Sequence, residues 1–303
     1  MSDDSPAPTR AGFVALIGAT NAGKSTLVNA LVGSKVSIVT HKVQTTRALV
    51  RGIAMAGASQ IVFIDTPGIF RPKRRLDRAM VTTAWGGAKD ADLVGVLIDA
   101  KRGLDDDARS LVEGLGAVPR PVFLVLNKID LVPRPVLLAL ADAANGLAAF
   151  ERIFMVSALD GDGVPDLLAW LAGRVPAGPW LYPEDQVSDL PLRMLAAEIT
   201  REKLFLRLHD ELPYAATVET ESWKEVRGGA VRIEQTIYVE RESQKKIVLG
   251  KGGQTIKAIS MAARKEITEL AEAPVHLFLF VKVRESWADD PERFREMGLE
   301  FPR

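Results

Sequence analysis

The string Gly18-Ala-Thr-Asn-Ala-Gly23-Lys24-Ser25 fits the spacing G-x-x-x-x-G-K-[ST], and it restricts the fold around it. The pattern works only where a strand delivers the chain to a loop and a helix starts at the lysine. Both flanks are present: residues 13–17 are an apolar run, and residues 24–32 carry helical apolar spacing. In such a loop the backbone N–H groups of Gly18, Ala19, Thr20, Asn21, Ala22 and Gly23 curl around a phosphate. The helix N-terminus adds partial positive charge. Lys24 then reaches the terminal phosphate oxygens and the Ser25 hydroxyl can ligate Mg²⁺, with Thr26 next along the helix.

The rest of the first half supplies the sheet that this loop needs. Short apolar runs recur at residues 13–17, 61–64, 93–98, 122–126 and 153–156. Runs that are apolar at consecutive positions suit strands covered on both faces of a parallel sheet. Between them, residues 24–32, 105–115, 135–149 and 164–171 read as crossover helices, and residues 47–56 as a further strand paired antiparallel with 61–64. The expected fold is α/β, a doubly wound P-loop sheet. At 303 residues the chain is long for one core. A break falls near residue 175, where Val175-Pro-Ala-Gly-Pro-Trp-Leu-Tyr-Pro183 holds three prolines in nine residues. Residues 1–11 are expected to be a disordered tail, 12–177 the nucleotide domain, 178–189 a semi-rigid linker and 190–303 a second domain with its C-terminal tail.

The base is selected by Asn127-Lys128-Ile129-Asp130, at the C-terminal end of run 122–126. The Asp130 carboxylate can accept from both the ring N–H and the exocyclic amine of guanine. Adenine would leave that acceptor unpaired, so the pattern specifies GTP/GDP over ATP. Ser157, Ala158 and Leu159 end the next strand and can present backbone to the guanine oxygen. Asp65-Thr66-Pro67-Gly68 also closes a strand. Asp65 is placed to hold Mg²⁺ through water and the Gly68 N–H to sense the terminal phosphate. Within Gln44-Thr45-Thr46-Arg47, a threonine can ligate Mg²⁺ while that phosphate is present; Thr46 takes the role, with Thr45 the alternative. Lys24, Thr46, Gly68 and Asn21 are the residues expected to carry the chemistry.

The second half reads as α-β-β-α-α-β: helix 190–208, strands 214–222 and 229–239, a helical region 245–271 and strand 275–283. Ile247-Val-Leu-Gly250-Lys251-Gly252-Gly253 matches I-x-x-G-x-x-G, the turn of a KH domain, and the element order is that of the type II form. Its glycines let a sugar-phosphate chain approach closely, clamping about four nucleotides. The whole chain balances 39 basic against 39 acidic residues, so charge is informative only locally. From Arg241 to Lys265 seven basic residues face one acid, concentrated around the turn as phosphate contacts require. Lys245, Lys246, Ile247, Gly250, Lys251, Gly252, Gly253 and Lys257 are the RNA-binding candidates.

There is no cysteine and only three scattered histidines, which excludes disulfides and Cys- or His-cluster zinc sites. A reducing cytoplasm fits. The first ten residues are polar and acidic, unlike a signal peptide, and no apolar run reaches the roughly 18 residues that span a bilayer. Contact with the inner membrane would be peripheral; the basic loop Arg71, Lys73, Arg74, Arg75 and Arg78 suits anionic lipid or RNA. A monomer is expected.

Taken together, these motifs resemble the translation-factor-related GTPases and, within them, the Era family. The nearer resemblance rests on Gln44-Thr-Thr-Arg47, on Leu181-Tyr-Pro-Glu-Asp-Gln-Val-Ser-Asp189 and on Val283-Arg-Glu-Ser-Trp-Ala-Asp-Asp290. It implies a bacterial GTPase whose C-terminal KH domain binds the 3′ end of small-subunit (16S) ribosomal RNA during maturation of that subunit. It also implies that Asn21 matches an asparagine that helps related GTPases hold K⁺ against the phosphates. Ile69 stands where Ras-like enzymes carry a water-orienting glutamine, and an isoleucine cannot hydrogen-bond water. Slow intrinsic turnover is therefore expected.

Overall fold

The computed structural model describes residues 8–42, 45–47, 49–72, 74–209, 212–285, 291, 294 and 299–301. They form two compact units, one of Met1–Ser37, Thr46–Asp189 and Met297–Arg303, the other of Ile38–Thr45 and Leu190–Glu296.

In the first unit β1 (Arg10–Gly18) leads through the glycine loop into α1 (Lys24–Val32). There follow β2 (Val50–Ala56), β3 (Ser59–Asp65), α2 (Arg75–Asp90), β4 (Leu93–Asp99), α3 (Asp106–Glu113), β5 (Val122–Asn127), α4 (Arg134–Asn145), β6 (Ile153–Val156) and α5 (Val164–Arg174). The sheet order is β2-β3-β1-β4-β5-β6, with β2 antiparallel to β3 and every other pairing parallel. Because both faces are covered, successive side chains of one strand enter different cores. Val14 and Leu16 pack with Leu27, Leu31, Leu167 and Leu171 from α1 and α5, whereas Ile17 packs with Leu111, Leu137 and Leu140 from α3 and α4. All parallel strands therefore end on one rim, where α/β sheets bind ligands.

Four expectations are corrected. Residues 75–90, left without an element by the apolar pattern, form α2, so Arg75 and Arg78 sit on a helix and only the start of the basic segment is loop; Lys73 lies outside the described residues. Arg10 and Ala11, read as tail, belong to β1, where they pair with Ser59 and Gln60. The strand expected over 47–56 starts at Val50. Finally, residues 178–189, expected as a semi-rigid linker, are tied along the first unit. Buried Gln60 accepts from the backbone N–H groups of Leu181 and Tyr182 (2.8 and 3.0 Å) and donates to the Tyr182 carbonyl (2.8 Å). Val187 accepts from Ile53 N–H (2.9 Å), Ser188 donates to the Arg51 carbonyl (2.9 Å), and Arg51 pairs with Asp189 (2.7 Å). The strap thus runs along β2 and β3.

The second unit runs α6 (Leu192–Arg207), β7 (Ala216–Val226), β8 (Ala230–Val239), α7 (Glu242–Leu249), α8 (Gln254–Ala271) and β9 (Val275–Val283). Its three-stranded sheet is ordered β7-β8-β9, antiparallel then parallel. Alternation along β9 buries Val275 and Val281 but exposes His276, Phe278, Phe280 and Lys282, so helices cover one face only. Leu204, Phe205, Ile237 and Val248 build one core here, and Ile199, Ile233, Ala263 and Ile267 a second.

Candidate nucleotide site and RNA clamp

The glycine loop is shaped by residues on three other strand ends. Asn127 donates from Nδ2 to the Ala22 carbonyl (2.9 Å) and accepts at Oδ1 from Ala158 N–H (3.0 Å), bracing the loop against the β6 end. A Cβ at Gly23 would lie 2.2 Å from that Nδ2, and one at Gly68 would meet Thr20 at 2.8 Å. Neither position has room for a side chain. Asn21 adopts a left-handed φ of 62°, as a loop presenting consecutive N–H groups to an anion requires. The backbone N–H of Ile69 donates to the Gly18 carbonyl (3.0 Å), fixing Gly68 beside the loop, and the Ile69 side chain packs into the α3/α4 core. Thr66 ties the same segment to β1 by donating to the Leu16 carbonyl (2.7 Å).

Hydroxyls gather around Asp65. Ser25 and Ser37 donate to its Oδ2 at 2.6 and 2.7 Å, and Thr46 lies 2.9 Å from the Ser25 oxygen. The Ser25 proton is already committed to Asp65, so Thr46 is the donor of that pair. Oδ1 of Asp65 is buried without a hydrogen-bond partner. A buried carboxylate oxygen flanked by hydroxyl oxygens is a hard-donor set that fits Mg²⁺ together with phosphate oxygens. Burial pushes the Asp65 carboxyl above its usual range, against the pull of the Ser25 and Ser37 hydroxyls and of Lys24. Burial likewise lowers the Lys24 ammonium to about 8, although Asp65 attracts it. Lys24 donates to the carbonyls of Gly18 and Ala19 (3.0 and 3.1 Å), inside the loop. Both shifts mark charges whose solvation a phosphate–metal pair can replace.

The two threonines separate clearly. The Thr46 hydroxyl joins the Ser25 cluster, whereas Thr45 meets the Thr40 hydroxyl (2.6 Å) and donates to the Lys42 carbonyl (2.9 Å). Gln44 lies outside the described residues. Thr26 is half-buried in the first turn of α1, and Pro67 is buried between Thr66 and Gly68.

At the base end, Lys128 stands at a left-handed φ of 66° and donates to the Asn21 carbonyl (2.7 Å) and to Asp99 (2.6 Å). Asp130 follows in a turn of 3-10 helix with its side chain exposed. Ser157 is buried and donates to Asp160 (3.0 Å), while Leu159 is 80% exposed at the rim. Asp99, Ser37 and Asn29 were not singled out from sequence. Asn29 accepts from the N–H groups of Val36 and Ser37 (2.9 and 3.0 Å), which holds Ser37 against Asp65. Of these, Asp99 had a legible signal: it ends β4 as Asp65 ends β3.

The second site is a helix–turn–helix. Gly250, Gly252 and Gly253 all have positive φ, at 73°, 60° and 77°, and nothing lies within 4 Å of a Cβ built at Gly252 or Gly253. Lys246, Ile247, Lys251, Gly252 and Lys257 are exposed around the turn, with Lys245 half-buried. The turn closes through Gly253 N–H donating to the Gly250 carbonyl (3.1 Å). It leaves an open, cationic, glycine-lined surface, suited to a phosphate chain.

A phosphate cradle with a guanine-reading string, followed by a KH fold, defines a P-loop GTPase carrying an RNA-binding domain. The comparisons agree. Residues 13–128 match the family described as 50S ribosome-binding GTPase, and residues 211–288 match the KH domain family. GTPase Era of Rhizobium meliloti is 72% identical over 98% of this chain and 95% of its own, and that of Agrobacterium fabrum is 70% identical over 99% and 95%. A crystal structure of Era with MgGDPNP and nucleotides 1506-1542 of 16S ribosomal RNA superposes with a TM-score of 0.91 at 37% identity, covering 96% of this chain and 99% of that one. A single-substitution variant of Aquifex aeolicus Era bound to GDP.AlF4- gives a TM-score of 0.90 at 37% identity, with 96% and 99% coverage. The chain belongs to the Era family of GTPases, and it hydrolyses GTP.

Proposed function

We propose that this chain is a GTP-driven switch that binds the 3′ end of 16S ribosomal RNA through its KH domain and assists assembly of the small ribosomal subunit. The observation that carries the switch is the convergence of Ser25, Ser37 and Thr46 on Asp65, whose second oxygen is buried and unpartnered. In this reading Ser25, Thr46 and Asp65 hold Mg²⁺, Asp65 through water. The loop from Gly18 to Lys24 holds the phosphates, and Asn127, Lys128, Asp130 and the Ser157–Ala158–Leu159 backbone hold the guanine. Bound Mg²⁺ would neutralise charge developing on the phosphate oxygens. Lys24 adds a donor from inside the loop, and Gly68 offers its N–H where the terminal phosphate would lie. With Ile69 packed into the core, no side chain at that position orients water, so intrinsic turnover is slow; Asn21 would be the residue to hold a K⁺, whose charge would offset that loss. Thr46 and Gly68 would gain contacts to the metal and the terminal phosphate on top of their protein contacts, and hydrolysis would remove that added hold on their loops.

The RNA assignment draws on the exposed turn at Gly250–Gly253 and on the RNA carried by the solved relative. Such work belongs to a monomer in the cytoplasm, with at most peripheral membrane contact through the exposed Arg71 and Arg74; among the described residues no helix is long and apolar enough to cross a membrane. RNA crosslinking with a non-hydrolysable GTP analogue and with GDP tests the coupling. Crosslinks at the 16S 3′ end that change between the two nucleotides are expected; an identical pattern in both would remove the switch.

A further inference from the structure

A cavity of about 440 Å³ opens beside the glycine clamp, lined by the end of α6 and the following turn (Arg207, Leu208, His209, Leu212), by the start of α7 (Arg241, Ser243, Gln244, Ile247) and by Thr255 of α8. It borders the clamp through Thr255, which lines the cavity and also lies so close to Gly250 that a Cβ there would fall 2.2 Å from its hydroxyl oxygen. The lining has a definite chemistry. Arg207 and Arg241 bring two guanidiniums from different elements, and none of the described residues that line it is acidic. The Gln244 carboxamide oxygen is committed to the N–H groups of Glu240 and Arg241 (2.8 and 3.1 Å), which leaves its NH₂, a donor, as the part of the amide not engaged by them. The polar lining thus offers mainly donors: two guanidiniums, that amide, and the Ser243 and Thr255 hydroxyls, with the His209 imidazole able to donate or accept. Leu208, Leu212 and Ile247 add an apolar floor. An acceptor-rich anion with one flat apolar face satisfies all of this, and the volume lies in the range of small-ligand sites.

We infer that this cavity takes one further nucleotide of the RNA strand, directly flanking those held at the clamp, with its phosphate against Arg207 and Arg241 and its base on the leucine–isoleucine floor. The inference rests on the clamp itself binding RNA. Arg207 and Arg241 are exposed and bear no core packing, so both can be changed without threatening the fold.

The test uses the full chain and nested single-stranded RNAs of four and eight nucleotides that share the clamp-filling core, followed by fluorescence anisotropy at several salt concentrations. Arg207→Gln with Arg241→Gln should weaken the longer RNA by roughly ten- to a hundredfold and lower its log–log salt slope by about 1.4, from about 0.7 for each of two phosphate contacts. The four-nucleotide RNA should bind the variant within about twofold of the unaltered chain. Equal weakening on both lengths would mean that the arginines act on the clamp, and no weakening would mean that RNA bypasses the cavity; either overturns the inference. Inorganic phosphate at constant ionic strength distinguishes the source of the anion. If it displaces the longer RNA from the unaltered chain but not from the variant, the cavity is a free-phosphate site and the RNA assignment falls. Lys251→Asp with Gly252→Asp should weaken binding of both RNAs by roughly a hundredfold. Full binding of both by that variant would remove the clamp reading, and the flanking site with it.

Discussion

Lack of space calls for glycine at Gly68 and adds to a positive φ at Gly23 and at Gly250, whereas at the tip of the clamp backbone conformation alone calls for it. At Gly23 and Gly68 the surrounding protein leaves no space for a Cβ, since Asn127 and Thr20 already occupy it. At Gly252 and Gly253 the space is empty, and what favours glycine is the positive φ. The nucleotide site is therefore built by its own packing, at the rim of a sheet buried on both faces, with Lys24 and Asp65 already desolvated. The clamp is an open turn on a sheet covered on one face. A small ligand that must be read atom by atom needs the first kind of site. A long polyanion that passes across the surface needs the second.

The sharpest way to break this comparison is at the base. If the nucleotide site is decided by individual pairings, Asp130→Asn should cost GTP affinity on the order of a thousandfold and favour XTP, because an amide complements xanthine. Calorimetric titration of both nucleotides checks it, and unchanged GTP affinity would show that Asp130 does not read the base. At the open site the effect should be smaller and electrostatic. Lys251→Asp with Gly252→Asp should weaken RNA binding by roughly a hundredfold and flatten the salt dependence by about 0.7 for each phosphate that the turn no longer holds. RNA-free GTP hydrolysis should stay unchanged, so a fall in that rate would erase the independence of the two sites.

Within the nucleotide site, adjacent threonines sharpen the point. Thr46→Ala should slow single-turnover hydrolysis by about tenfold while leaving GDP affinity unchanged, since the metal contact proposed for it would form only with the terminal phosphate. Thr45→Ala, which removes only the hydrogen bonds to Thr40 and Lys42, should leave the chemical step near its original rate. The smallest effect concerns the monovalent ion: hydrolysis should run several-fold faster in potassium than in sodium at equal ionic strength, and Asn21→Ala should abolish the difference. Equal rates in the two salts would leave Asn21 with only its left-handed turn to make.

What the sequence discloses follows the same division between local and assembled features. The five parallel strands were legible because burial on both faces makes their residues apolar without interruption. The phosphate loop and Asn127-Lys128-Ile129-Asp130 were legible because their chemistry is contained in a few consecutive residues. Helix α2 was not: it opens with arginines and includes Thr82-Thr83 and Gly86-Gly87, and Gly87 packs against Leu49, Ile64 and Thr66 rather than presenting an apolar side chain. Ser37 was equally hidden, because its approach to Asp65 depends on Asn29 folding the intervening chain. Sequence preferred Thr46 over its neighbour Thr45 for the proposed metal role, and the hydroxyl geometry sets Thr46, not Thr45, beside Ser25. The strap was misread because its prolines announce a linker, while its hydrogen bonds come from Leu181, Tyr182, Val187 and Ser188 between them.

That strap also guards the protein against itself. The outermost strand β2 is seven residues long, and an unpaired edge of that length is a template for joining another chain. Ile53 and Gly52 are instead engaged by Val187 and Ser188, and the opposite edge, β6, is only four residues long. Because the sealing residues follow β2 by more than half of the first unit, a growing chain presents an open edge until they leave the ribosome. The interval between the synthesis of β2 and that of Ser188 is therefore one in which this edge is open to pairing with another chain.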